Sequence, residues 1–538
     1  MTGGWSKNFD AETDWNLVTP PMPGVDNRQV KLSRGKFLGG SSGVNGTLCI
    51  RGTEQDYDDW DLPGWSGKEI FAYMRKSECF HDKDWFQADA RAHGRDGPLH
   101  VAPHDLAPIS DLVLESMQDR GLPLIPDVFT TGESANASGH APRTVHDGIR
   151  STGADFVQDG YRRDNIDILC DTVVDKIDID YEGRASCVQL VRKDGSRKTI
   201  KASKEIIISG GSYCSPAILL RSGIGPRAEL EALNIPCKVD LPGVGKNLLD
   251  HLIVFVFYEV LKDGLTNDHL VYHDDAAEAS YMLYQENRTG VLSTFPFGAF
   301  AFARLDERLQ DEPLWQEAMA QAAPGRDAMG LTASQPNIEF FTTELYGGPK
   351  QYDQYPIEKK SAFAMITELF SPHSRGTVTL KSPDPFANPV VDCNYLSSPL
   401  DLLVLSEGVR YGNEIITQGA ATKDIIKGSW PPELTHHQHT SREDWVPYVK
   451  KEATTCYHAA GTCRMGKEGD EGAVLDAELR VKGVKGLRVA DCSVMPRLHG
   501  GHTQMPAYGI GEKAADLIKV AHGMGPVRKP FGFETARL

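Results

Sequence analysis

A run of branched apolar residues ending in paired glycines constrains this chain more than any other feature. Residues 204–211, KEIIISGG, read as a short buried strand that runs straight into a turn. The following SPAILLRSGIGP reads as a helix closed by Gly223 and Gly225 and stopped by Pro226. The same order recurs near the other end, where residues 486–493, GLRVADCS, form a predicted strand. A glycine-rich loop follows, then a helix whose apolar spacing runs from Pro506 to Val520. Strand, glycine turn and helix in succession predict an α/β layer with a ligand-binding edge. Residues 165–179, NIDILCDTVVDKIDI, suggest paired strands.

From about Leu252 to Thr455 the pattern changes. Aromatic and strand-like runs such as SAFAMITELF and GTVTL predict an antiparallel sheet, taken as a substrate domain. The expected division is residues 1–251 and 456–538 for the α/β domain and 252–455 for the second, α+β domain. With 538 residues, 40% of them hydrophobic, the chain has material for two or more domains. No repeat or low-complexity run points to a solenoid.

Charge narrows the partners. Asp and Glu number 74 against 57 Lys and Arg, a net charge of -17, which argues against general attraction to nucleic acid or an anionic membrane. A neutral small molecule is the expected partner. The first residues have no apolar core of a secretory signal, and no stretch is long and apolar enough to span a bilayer. Ten cysteines without a CxxC pair read as reduced thiols inside the cell. Ala536-Arg537-Leu538 has the small-basic-Leu pattern of a peroxisomal address, so a peroxisomal location is expected.

Three further motifs carry chemistry. Residues 35–46, GKFLGGSSGVNG, continue into Arg51-Gly52 and Asp56-Tyr57-Asp58-Asp59-Trp60. Adjacent glycines here let backbone N–H groups approach an anionic or carbonyl-rich ligand. Residues 211–226 and 241–248, the latter followed by Asp250-His251, come next. Near the C-terminus stand Tyr457-His458-Ala459-Ala460-Gly461-Thr462-Cys463-Arg464-Met465-Gly466 and, after the second strand, His502 leading into a helix. In this order the segments resemble the glucose-methanol-choline (GMC) family of FAD-dependent alcohol oxidoreductases, over nearly the whole chain.

The resemblance implies a Rossmann-like α/β FAD-binding domain and an α+β substrate domain with an antiparallel sheet. It implies that Gly39, Gly40, Ser41 and Asn45 contact the flavin, that Asp491 faces the ribityl-diphosphate region, and that Val174 faces the adenine through its strand backbone. Thr503, Gln504 and Met505 would present a helix start to the flavin. His458 and His502 would face the reacting centre, His458 as general base and His502 holding the substrate hydroxyl. Histidine suits the task because its ordinary pKa leaves it largely neutral near pH 7.

One part of the family pattern is missing. Family members open with a strand, a GxGxxG turn and a helix that hold the FAD pyrophosphate. Residue 1 corresponds to a point after that βαβ unit. The local match Gly509-Ile510-Gly511-Glu512-Lys513-Ala514 falls inside the predicted terminal helix and is expected to bind no pyrophosphate. Intact flavin-facing residues favour an incomplete sequence over a natural remnant.

The expected reaction is oxidation of a small alcohol by hydride transfer to flavin N5, with O2 as acceptor giving H2O2. A formate or aldehyde oxidase of the same family is the alternative, although His502 stands where such an enzyme is expected to carry arginine. A non-redox flavin enzyme and an inactive remnant are further readings. His436, His437 and His439 form an HHxH cluster read as solvated rather than metallated, and no metal is expected. His499 lies beside the site without an assigned role.

Overall fold

The computed structural model describes residues 8–158, 165–273, 275–347 and 360–524. Ala536-Arg537-Leu538 lies outside them. Among the described residues no helix is long and apolar enough to cross a membrane. All ten cysteines are free thiols.

The largest element is a seven-stranded antiparallel sheet. Its order is Ile426–Ser429, Leu252–Val260, Ala362–Leu369, Ile338–Thr343, Phe297–Ala303 and Ala137–Gly139, with Thr454–Thr455 also pairing on Leu252–Val260. Ile338–Thr343 and Ala362–Leu369 are buried at every position, which explains their near-continuous apolar sequence. The helix Pro399–Gln418 shares a core with these strands. Its Gly408 and Gly412 permit a close approach: a Cβ at Gly408 would lie 2.9 Å from Thr367 and 3.0 Å from Ile338. The expected antiparallel sheet is present, and most of its strands come from 252–455. Ala137–Gly139 joins its edge from upstream of that interval.

The α/β layer contains the two predicted strands side by side. Ile206–Ile208 pairs in parallel with Leu487–Val489, residue for residue. Parallel pairing brings both following turns to one end, so the Gly211–Arg221 and Gln504–Ala521 helices start from neighbouring loops. The first helix begins at Gly211, earlier than predicted, and contains Pro216. Proline cannot donate to the carbonyl four residues back, and the Thr462 hydroxyl donates to that Ser212 carbonyl instead, at 2.6 Å. The last helix likewise starts two residues before Pro506 and contains the whole Gly509–Ala514 match, as expected.

Two expectations need correction. Within 165–179 only Val173–Ile179 is a strand, and its partner is Ala185–Val191 rather than a strand within the segment. The HHxH cluster is not simply solvated: His436 lies inside, while His437 and His439 are half-buried. His436 is fully buried, and its Nε2–H donates to the Phe257 carbonyl at 2.7 Å. The Nδ1 of His437 accepts from the Ser429 amide at 3.0 Å. Polar composition around the cluster hid a role in tying a loop to the sheet edge.

Candidate active site

The carboxyl ends of the two parallel strands open on a cavity of about 540 Å³ between the α/β layer and the antiparallel sheet. Its walls include Gly39, Gly40, Ser41, Asn45, Asp491, Thr503, Gln504, His458 and His502, so nine of the expected residues share one space. The other two do not line it. Met505 is fully buried in the core, and Val174 sits on its strand with its carbonyl accepting from Arg221 Nη2 at 3.1 Å.

The glycine loop is shaped by backbone that other residues rarely adopt. Gly39 and Gly40 have φ of 90° and 55°, and no atom lies within 4 Å of a Cβ placed at Gly40. Asn45 is braced from two sides. Its Nδ2 donates to Gln504 Oε1, and its Oδ1 accepts from the Thr47 amide at 3.0 Å and from Arg150 Nη1 at 2.7 Å. Asn45 thereby couples the loop to the start of the Gln504–Ala521 helix. Arg150 Nη2 is buried with no hydrogen-bond partner among the described residues.

Asp491 organises the opposite wall. Its Oδ2 accepts from the Gly211 amide at 2.9 Å and the Ser215 hydroxyl at 2.5 Å, and its Oδ1 accepts from the Ser493 amide at 2.8 Å. This carboxylate caps the Gly211–Arg221 helix where the side chain of Gly210 cannot.

His458 follows Tyr457, whose φ of 62° turns the chain sharply. Asp250 holds the turn: its Oδ1 accepts from the His458 amide at 2.8 Å, and its Oδ2 from Tyr395 and Thr455 hydroxyls at 2.5 and 2.6 Å. Arg34 Nη1 donates to the Tyr457 carbonyl at 2.7 Å. His502 is placed by its amide, which donates to the Ile50 carbonyl at 2.9 Å. Gly501 permits that approach, since a Cβ there would stand 2.5 Å from the Gly52 amide nitrogen. The two imidazoles meet with ring centroids 4.6 Å apart and planes at 75°.

Two carboxylates lie behind them. Glu339 and Glu368 are direct partners across neighbouring strands of the antiparallel sheet, both fully buried. Glu368 Oε1 lies 3.0 Å from His458 Nδ1 and 2.9 Å from His251 Nδ1. Glu339 Oε2 lies 2.8 Å from His502 Nε2, and Glu368 Oε2 is 3.7 Å from the same nitrogen. Cys456 Sγ donates to Glu368 Oε2 at 3.2 Å. His499 stacks on Tyr57 and stays outside the cavity lining.

Burial and charge set the protonation states. Burial drives His458 down to about 3 despite Glu368, so this ring is neutral at pH 7. Burial also lowers His502, but Glu339 and Glu368 outweigh it and raise the group above its ordinary value. Burial pushes Glu339 up to about 7, even against the charge of His502. Glu368 is raised by burial too, yet the histidine charges and hydrogen bonds from His251 and His458 hold it well below the usual carboxylate range.

The tautomer of His458 follows. An ionised carboxylate accepts only, so with His251 Nδ1, 3.0 Å away, donating to the same Glu368 oxygen, His458 Nδ1 carries the proton and Nε2 keeps a lone pair on the cavity side. A free acceptor, His458 Nε2, thus stands on the cavity wall beside His502, whose affinity for a proton is raised by the two glutamates. Sequence reasoning found both histidines but missed Glu339, Glu368 and the role of His251. The signal was present: each glutamate is the single charge in an apolar run, NIEFFTT and AFAMITEL.

Comparison with known proteins decides the family. Two GMC oxidoreductase profiles match residues 18–253 and 372–511. An oxygen-dependent choline dehydrogenase of Sinorhizobium medicae is 31% identical over 515 residues, 94% of this chain and 85% of that protein. The chain belongs to the GMC oxidoreductase family. Among solved GMC-like folds, a formate oxidase variant of Aspergillus oryzae RIB40 superposes with a TM-score of 0.89 at 28% identity, covering 97% of this chain and 91% of its own. A fungal aryl-alcohol oxidase gives 0.80 at 25% identity, covering 96% and 90%. This GMC protein is an oxidoreductase of the CH–OH class.

Proposed function

We propose that this protein oxidises a small alcohol and passes the electrons to O2, releasing H2O2. One observation carries the reading: Glu368 Oε1 holds His458 Nδ1 at 3.0 Å, which leaves Nε2 free to accept a proton beside His502, whose ring packs 4.6 Å away and is held by Glu339 at 2.8 Å.

FAD is the cofactor. The cavity fits it: the open space beside Gly40, the unpartnered Arg150 Nη2 next to Asn45, and the Thr503 start of the last helix, which makes no side-chain cap, all offer room or donors to a flat, carbonyl-rich group. When bound, FAD supplies the hydride acceptor. Gly39, Gly40, Ser41, Asn45 and Gln504 would hold it from the loop side, with Asp491 shaping the far wall.

The protein's own steps concern the substrate hydroxyl. His502 donates a hydrogen bond to the hydroxyl oxygen and orients it. His458 Nε2 takes the hydroxyl proton, and the growing positive charge on its ring is stabilised by Glu368. Phe295, Phe297 and Phe341 pack the carbon skeleton on the sheet side and exclude water.

A second reading rests on the same pair of histidines. A protonated His502 beside a neutral base also suits an anion such as formate, and the similarity to a formate oxidase supports including it. The test is anaerobic addition of ethanol, choline, an aryl alcohol and formate to the flavin-loaded protein, followed by O2. Bleaching with an alcohol and peroxide on reoxidation are expected. Bleaching with formate alone would replace the alcohol reading, and a flavin that none of them bleaches would overturn both.

A further inference from the structure

A second constellation of ligand-type side chains lies away from the cavity. Glu78–Phe80 and Leu99–Val101 are parallel partners, with Cys79 directly opposite His100. Their neighbours Glu78, Phe80, Leu99 and Val101 are buried. Strand alternation therefore turns Cys79 and His100 to the same outer face. His81, two residues beyond Cys79, returns to that face.

The three donor atoms lie within 4.8 Å of one another. His81 Nε2 is 2.7 Å from His100 Nδ1. His146, brought alongside by Val145–His146, stacks on His81 at 3.5 Å between centroids and 5° between planes, and Asp147 Oδ2 lies 3.3 Å from its Nε2. The ring of His81 is thus oriented by a packed neighbour that is itself held by a carboxylate. Arg95, the nearby cation, is neutralised by Asp82 at 2.6 Å. Cys79 is a free thiol.

We propose that Cys79, His81 and His100 bind a zinc-class transition-metal ion, with a fourth coordination position open to solvent. Thiolate and imidazole are the donors such an ion prefers, at about 2.3 Å and about 2.0–2.1 Å. Tetrahedral binding needs nitrogen–nitrogen edges of roughly 3.3 Å at those bond lengths, so the two imidazoles must part slightly, a side-chain rotation at the protein surface. On binding, the Cys79 thiol proton passes to solvent and the sulfur–metal bond forms, with no change of oxidation state. The bound ion would clamp two strands that already pair through their backbones and through the His81–His100 contact.

Among the described residues the other groupings with metal-ligand spacing, one of which includes Cys456, all belong to the catalytic cluster, so the test must separate the two places. Chelator-treated full-length protein would be titrated with Zn2+ and with Co2+ as a spectroscopic probe, alongside Cys79→Ser and the double variant His81→Ala/His100→Ala. One equivalent per chain is expected, with a thiolate-to-Co2+ charge-transfer band that Cys79→Ser abolishes and the double variant removes together with the binding. Flavin reduction should be unchanged in both variants. Equal uptake by the variants, or a Co2+ spectrum without the sulfur band, would overturn the proposal and put any ion in the catalytic cluster. A readout that needs no variant is protection of Cys79: Zn2+ should slow its alkylation about tenfold, because a metal-bound thiolate is a poor free nucleophile. Undiminished alkylation at saturating Zn2+ would also overturn it.

Discussion

Two groups of histidines in this molecule look alike in sequence and differ in everything that surrounds them. His458 and His502, with His251 behind, face two buried carboxylates and an open cavity. His436 and His437 face a backbone carbonyl and amide at the edge of the sheet, and burial drives His436 down to about 4. In the first group the partners carry charge, so protons can be stored and moved. In the second the partners are dipoles of the main chain, so the rings serve only as fixed hydrogen-bonding struts. The difference shows that a histidine's chemistry is set by whether its partner can change charge.

The largest expected effect that would sharpen this contrast is on His458. Replacing it by alanine should lower the rate of flavin reduction by about 10²–10⁴-fold while flavin stays bound, measured by anaerobic stopped-flow. A near-normal rate would remove His458 from the role of base. Glu368→Gln comes next. It removes the carboxylate that holds the His458 Nδ1–H and stabilises positive charge on that ring, so a drop of about 10²-fold in reduction rate and a loss of about 1–3 kcal/mol in stability from the weakened buried hydrogen bonds are expected, read by stopped-flow and thermal melting.

Glu339 yields a pH signature. Its folded value of about 7 lies above its ordinary 4.5, so between those limits the folded protein holds a proton that the unfolded chain has lost. Stability from this group is present in full below 4.5 and declines as pH rises through 7. Glu339→Gln should flatten that decline in melts recorded across the range; an unchanged slope would assign the titration elsewhere. The smallest effect is expected at the struts. His436→Ala should cost about 1–3 kcal/mol of stability and leave turnover per bound flavin unchanged. A loss of turnover there would dissolve the contrast between the two groups.

Much of the fold was legible because its signals are local. The isoleucine run with its glycines, the strand before Asp491 and the apolar sheet strands all announce themselves through periodicity and turn residues. Less legible were the residues whose meaning depends on a partner far along the chain. Residues 165–172 have an apolar pattern without strand pairing, while Ala137–Gly139, a weak strand by composition, is recruited by the sheet edge. Cys79 and His100 meet only because two short strands pair in parallel.

The amino-acid sequence by itself determined the α/β layer, the glycine-lined loop, the family and the two histidines that face the cavity, because each is written in residues close together along the chain. Tertiary structure alone decided which proton sits where. The register that sets Glu339 opposite Glu368, and the turn at Tyr457 that lays His458 against Glu368, bring charges from distant segments into a buried space. Protonation there responds to separations of a few ångströms and to the exclusion of water, and neither quantity exists until the chain has folded.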